Sequence, residues 1–158
     1  MHPQRCQVKR FQPHPSHHFL SNNIGLIQVG CSRSNQVSNW AVHDVIDGER
    51  LTLVGVPSPS GRSRKVITPV LVQQCSVCLA EYGAFDCAKQ ICLQPAGKYR
   101  SIDRNNLDGL PGAAVVARDG RLAGILSYGF ANSSLVAERA SFYELFVRKM
   151  VSSFEREL

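Results

Sequence analysis

With 158 residues, 44% of them hydrophobic, the chain can bury one sizeable core or two small ones, which excludes a disordered tail. No apolar run approaches the roughly 18 residues of a membrane helix, and the segment from Met1 to Arg10 is polar and basic, so neither a membrane span nor a secretory leader is read. The formal net charge is +6, but Lys and Arg are dispersed, which argues against a nucleic-acid surface; the densest group, Arg62, Arg64 and Lys65 in PSPSGRSRK, reads as an exposed loop.

Taken in chain order, the apolar runs are short and bounded by Gly, Pro, Asp or Ser: Ile24 to Val29, Leu51 to Val56, Val66 to Val72, Ala113 to Ala117 and Leu122 to Leu126. Such lengths indicate strands. The last two are joined by Arg118-Asp119-Gly120-Arg121, whose central Asp-Gly supports the positive backbone angles of a tight hairpin turn. Beyond them the period changes: Tyr143, Phe146, Val147, Met150, Val151 and Phe154 recur at three- and four-residue steps, which predicts a helix with one buried stripe. Ser141 and Glu144 are spaced as a capping box at its start. The residues thus predict many short strands and one terminal helix, without repeats, low-complexity tracts or a dividing linker.

Six cysteines, Cys6, Cys31, Cys75, Cys78, Cys87 and Cys92, leave two chemistries open. One is a set of disulfides in an oxidising compartment; the other is a zinc module on Cys75, Cys78, Cys87 and Cys92, opened by the pair Cys75-Ser-Val-Cys78. A second closely spaced pair is missing, which favours disulfides.

The segment DGLPGAAVVARDGRLAGILSYG, Asp108 to Gly129, resembles the part of trypsin-like serine proteases that begins GDSGGP, runs through a hairpin and ends in SWG or SYG. Two upstream pieces fall in the same order. VKRFQPHPSHHFLSNNIGLIQV, Val8 to Val29, is similar to the family's HP turn followed by NDIALI, and ITPVLVQQCSVCLAEYG with QICLQPAG is similar to its strand, cysteine, helix, cysteine segment. The resemblance implies an all-β fold, a trypsin-like double β-barrel in a single partial domain. Residues 1–45 would be a remnant of an incomplete first barrel with the crossover, 46–140 a nearly complete second barrel, and 141–158 the C-terminal helix. The part carrying the family's catalytic histidine would be absent.

A serine protease needs a hydroxyl nucleophile, a histidine base, an orienting carboxylate and two backbone N–H groups facing the oxyanion. The resemblance places Pro111 at the nucleophile, where it supplies neither a hydroxyl nor an N–H. Gly109 keeps the position of the other oxyanion donor, and Leu110 replaces the aspartate that pairs with the new N-terminus on activation. Asn23 replaces the orienting aspartate; in an otherwise intact triad that exchange lowers turnover by about ten-thousand-fold. Asn105 falls near the base of the specificity pocket, which removes a preference for basic side chains, and Ser127, Tyr128 and Gly129 match the strand that lies beside an extended peptide. Plain packing of that strand is the favoured alternative.

The resemblance also implies a Cys78–Cys92 bridge, an additional Cys75–Cys87 pair and, by elimination, Cys6–Cys31. A further family bridge is missing at both ends, at Leu107 and near Ala131. His14, His17 and His18 could form a metal-binding tract but fall in a turn that the family uses as a surface loop. The implied protein is not an enzyme: it is a secreted, extracellular protease homologue without cofactor or metal, acting on proteins or peptides, such as active proteases or their substrates. Nucleic acid and membrane are not expected as partners, while unpaired strand edges predict self-association. The alternatives are a piece of a longer secreted endopeptidase and the zinc module above.

Overall fold

The computed structural model describes residues 6–30, 41–55, 66–96, 110–130 and 133–156. The basic loop with Arg62, Arg64 and Lys65 lies outside the described residues, as do Val56, Asn105, Leu107, Gly109 and Ala131.

Strands β1 (Gln7–Pro13) and β2 (Gly25–Gly30) form an antiparallel pair in which Phe11 faces Ile27 and Val8 faces Val29. Strands β3 (Arg50–Gly55), β4 (Val66–Val72), β5 (Gln90–Pro95), β6 (Ala114–Val116), β7 (Leu122–Gly129) and β8 (Leu135–Arg139) make a closed barrel in the order β3-β4-β5-β8-β7-β6. Every neighbouring pair is antiparallel, and β3 pairing with β6 closes the ring. Alternation fixes what points inward: Leu51 and Leu53 on β3 meet Val70, Val115, Leu93 and Leu126 in one cluster. The all-β architecture with a terminal helix is the one expected from the sequence.

Strand β8 is buried on both faces, which explains its lack of a polar alternation. Leu135 and Ala137 enter the barrel core, whereas Val136 joins a second cluster with Cys78, Cys92, Phe85 and Tyr128 outside it. Helix α1 (Cys75–Glu81) covers that second cluster and is held by its disulfides. Gly124 marks a close approach of β7 to β8, since a Cβ there would stand 2.8 Å from the carbonyl oxygen of Glu138.

Three local expectations need correction. The hairpin turn uses one positive angle, not two: Gly120 has φ +85°, and Asp119 is not among the residues with positive φ. The Gly120 N–H donates to Ala117 O, and the Ala117 N–H to Arg121 O, the pattern of a turn followed by a left-handed bulge residue. Asp119 instead accepts from the Arg121 backbone N–H at 3.1 Å, and mainly this bond keeps its carboxyl below the usual aspartate range. Helix α2 (Ala140–Arg156) follows β8 directly, so Ser141 already lies inside it and no capping box forms. Ser141 donates to Asp44 and Glu144 accepts from Arg148. Within the helix, Tyr143 and Val147 are buried and Phe146, Met150 and Phe154 half-buried, but Val151 is exposed.

Candidate functional site

The position matched to the nucleophile lies in a tight turn built by its own sequence. Ala113 N–H donates to Leu110 O at 2.8 Å, with Pro111 and Gly112 between them and Gly112 at φ +93°. Proline fixes the first angle and glycine accepts the positive second one, the requirements of a type II turn. Gly112 N–H donates to Leu126 O at 2.7 Å and Leu126 N–H to Ala113 O at 2.8 Å, which fastens the turn to β7. Leu110 is buried in the barrel core beside Gly55, while Pro111 is exposed.

One residue along β7 from that anchor, Ser127 is an extra residue in the strand: Leu126 pairs with Ala137 and Tyr128 with Val136. Such a bulge re-aims a side chain. Ser127 Oγ accepts a 2.9 Å hydrogen bond from Asn23 Nδ2 across 104 positions of sequence. The loop before β2 supplies the other half of the contact. Asn22 takes φ +48°, donates to Ser16 O at 2.8 Å, and its carbonyl accepts from Ile24 N–H, so the chain folds tightly around Asn23. Asn23, Ser127 and the Pro111 turn are therefore assembled at one place, between the β1–β2 pair and the barrel.

The bulge also turns both Ser127 and Tyr128 inward. The Tyr128 ring packs edge-on against Tyr82 at 5.2 Å, and Tyr82 in turn lies near exposed Phe130. Among the described residues the Tyr128 hydroxyl has no hydrogen-bond partner, and burial, reinforced by the charges of Glu138 and Tyr82, pushes its pKa up to about 12. Gly129 sits tight against Leu135.

Cysteine pairing resolves the choice left open by spacing. Cys78 is bonded to Cys92 and Cys75 to Cys87, with Cα separations of 5.7 and 5.6 Å. All four sulfurs of the zinc alternative are thereby consumed, which overturns it. Cys6 is disulfide-bonded, and Cys31, the partner elimination gave it, lies outside the described residues. The three histidines of the HPSHH tract do not converge. His14 lies against Tyr143 and Phe146, with ring centroids 5.5 and 4.7 Å away; burial first, then the charge of Lys89, lowers its pKa. His17 reaches Asn22 O, and His18 bridges to Ser21 through its backbone. Among the described residues, no group of side chains is arranged to hold a metal ion.

Two polar clusters escaped the sequence. In the first, Glu138 is almost wholly buried; Gln90 Nε2 donates to one carboxylate oxygen at 3.0 Å and the Tyr143 hydroxyl to the other at 2.7 Å. Gln90 Nε2 also donates to Leu20 O, and the Tyr143 hydroxyl lies 3.4 Å from Asn22 Oδ1. The network thus ties the loop holding Asn23 to β5, β8 and α2. Nothing in LVAER distinguishes this glutamate from a solvent-facing one. In the second cluster, Arg121 donates to His43 Nδ1 at 3.1 Å, which leaves the imidazole proton on Nε2, 2.6 Å from Glu49. Both ring nitrogens of His43 are thus engaged, and among the described residues no histidine side chain is bonded to a serine hydroxyl.

A closed six-stranded antiparallel barrel with a terminal helix, carrying a loop of a second sheet against the bulged strand, defines the trypsin-like serine protease fold. Solved structures similar to the chain include kallikrein-related peptidase 10 in complex with Zn2+ (TM-score 0.68, 19% identity, 94% of this chain and 72% of that one). A second structure of kallikrein-related peptidase 10 gives TM-score 0.71 at 17% identity over 95% and 73% of the two chains. Neuropsin, a serine protease expressed in the limbic system of mouse brain, gives 0.70 at 19% identity over 92% and 71%. No protein-family model and no curated protein sequence matches the chain.

Proposed function

We propose that the chain is a non-catalytic homologue of trypsin-like serine proteases that works outside the cell by binding proteins or peptides, and so modulates active proteases or occupies their substrates. The observation that carries this reading is Pro111 in the turn fastened to β7. An imino acid there offers no attacking oxygen and no N–H, and loss of one oxyanion donor alone costs about a hundredfold to a thousandfold in turnover. The Asn23–Ser127 bond beside it supports matching this corner to the family's reaction centre, with a neutral amide where the orienting charge would stand. The backbone of Ser127, Tyr128 and Gly129 remains the strand along which an extended segment would add, with Gly109 and Asn105 as vestigial positions of the same site. The paired cysteines support an oxidising, extracellular setting.

A fluorophosphonate probe for serine hydrolases tests the catalytic half: no covalent labelling is expected, and labelling abolished by a single serine substitution would overturn the proposal. For the binding half, the intact protein is added to a trypsin-like protease acting on a protein substrate. A saturable change in turnover, without cleavage of the added chain, is expected; unchanged turnover across a panel of such proteases and substrates would refute modulation.

A second reading, a piece of a longer secreted endopeptidase, is favoured by the chain spanning 71 to 73% of the three solved structures described above. Mapping the 5′ end of the transcript separates the two. Pro111 would occupy the same turn in either case.

A further inference from the structure

The two bridges on α1 differ in how a reagent can reach them. Cys78 and Cys92 are 0% and 2% exposed, sealed between the helix and strand β5 with Phe85, Tyr128 and Val136 around them. Cys75 and Cys87 are only partly buried, the first opening the helix and the second in the irregular segment between α1 and β5. Thiol–disulfide exchange requires a thiolate to approach a sulfur, so access separates the two bonds kinetically.

The more accessible bridge is also wired to the candidate site. Asp86, next to Cys87, donates its N–H to Gln90 Oε1, and its carbonyl accepts from the N–H groups of Lys89 and Gln90. The amide nitrogen of the same Gln90 side chain holds Leu20 O and the buried Glu138. Leu20 and Asn22, both in left-handed backbone, form the loop that delivers Asn23 to Ser127. The Cys87 carbonyl is itself within reach of Arg139 on β8. Freeing Cys87 from α1 therefore loosens the segment that aligns Gln90, and with it the grip on the Asn23 loop.

We propose that Cys75–Cys87 is a thiol-exchangeable control bridge that sets how firmly the loop carrying Asn23 is held to the barrel, with Cys78–Cys92 as the permanent staple. The co-reactant is a dithiol. One thiolate attacks a sulfur of the bridge, forming a mixed disulfide and releasing the other protein sulfur as a thiolate. The second reductant thiol then displaces the remaining protein sulfur, leaving a cyclic disulfide on the reductant and two protein thiols. Two electrons and two protons pass to the protein. The proposal rests on the binding reading above only in naming the Asn23–Ser127 corner as the place affected; bridge opening and loop exchange are read without any binding partner.

The oxidised full chain is titrated with dithiothreitol under native conditions, pulse-alkylated and mapped by mass spectrometry. Labels on Cys75 and Cys87 are expected at a reductant concentration at least tenfold below that needed for Cys78 and Cys92. At that lower concentration, amide hydrogen exchange across residues 14–24 should quicken at least threefold, while β5 and β8 stay protected. Simultaneous opening of both bridges, or prior opening of Cys78–Cys92, would overturn the assignment, and unchanged exchange at 14–24 would overturn the coupling. The double variant Cys75→Ala/Cys87→Ala should reproduce the fast-exchanging loop without reductant. If that variant fails to fold, the selectively reduced wild-type chain still decides.

Discussion

Tyr128 carries an unusual burden for a single residue: its ring fills the cluster beneath α1, yet its hydroxyl is buried without a partner among the described residues. A buried donor left unsatisfied costs about 1 to 3 kcal/mol, whereas the ring's packing needs no oxygen. Tyr128→Phe is therefore expected to raise the unfolding free energy by about 1 kcal/mol in urea denaturation, and a loss of stability would show that the oxygen has a partner after all. His14 has the opposite relation to its surroundings. Burial against Tyr143 and Phe146, then Lys89, lowers its pKa, with His17 acting the same way and Glu138 opposing. A base whose folded pKa lies below its unfolded value binds more protons when unfolded, so its stabilising share is complete above the ordinary histidine value of 6.5 and falls as pH drops through it toward the lowered folded value. Stability of wild type minus that of His14→Gln should shrink with acidification below that pH, and a difference that is flat or grows would contradict the assignment.

At the scale of elements, glycine placement decides more than propensity. Gly120 closes the β6–β7 hairpin at φ +85°, where a side chain is strained whatever the space around it. Gly120→Ala is expected to destabilise the barrel by about 1 kcal/mol or slightly more, read from the denaturation midpoint at unchanged slope. An effect near zero would mean that the turn can be rebuilt. This hairpin was legible in the sequence because Asp-Gly between two apolar runs is a local signal. The apolar run marks strand β7 only as far as Leu126, where polar Ser127 at the bulge ends it; Ser127, Tyr128 and Gly129 were legible as strand only through the resemblance. The matched corner was found from its motifs, Asn23, Pro111 and Ser127, but the bond joining Asn23 to Ser127 spans the chain and depends on the left-handed turn at Asn22. Tyr143 was legible as part of the helix's buried stripe, but the network joining its hydroxyl to Glu138 and Gln90 was not, because burial of a charged side chain depends on partners from three separate elements.

For the whole molecule, the decisive feature is the uneven cover of the two sheets formed by the described residues. The barrel has no open edge, but β1–β2 is a two-stranded sheet whose outward Val8, Phe11, Ile27 and Val29 are each at least half exposed and stand in directly opposed pairs. An apolar patch of a few hundred Å² is the size at which the largest exposed patch of an isolated protein is often a contact site. A second copy brings an identical face, and two such sheets can pack at the usual spacing of about 10 Å in a closed, symmetric contact. The patch is small beside the roughly 800 Å² per partner of a standard interface, so the dimer should be weak and concentration-dependent. The net charge of +6 opposes the approach of two copies, and salt screens that repulsion, so association should strengthen as ionic strength rises. Sedimentation equilibrium over a range of concentrations is expected to show a monomer–dimer equilibrium for the wild-type chain. Ile27→Glu should shift it at least tenfold toward monomer without altering the barrel's unfolding transition, because Ile27 faces away from the closed core. A wild-type chain that stays monomeric at high salt and high concentration, or a variant that associates equally well, would rule this face out as the contact.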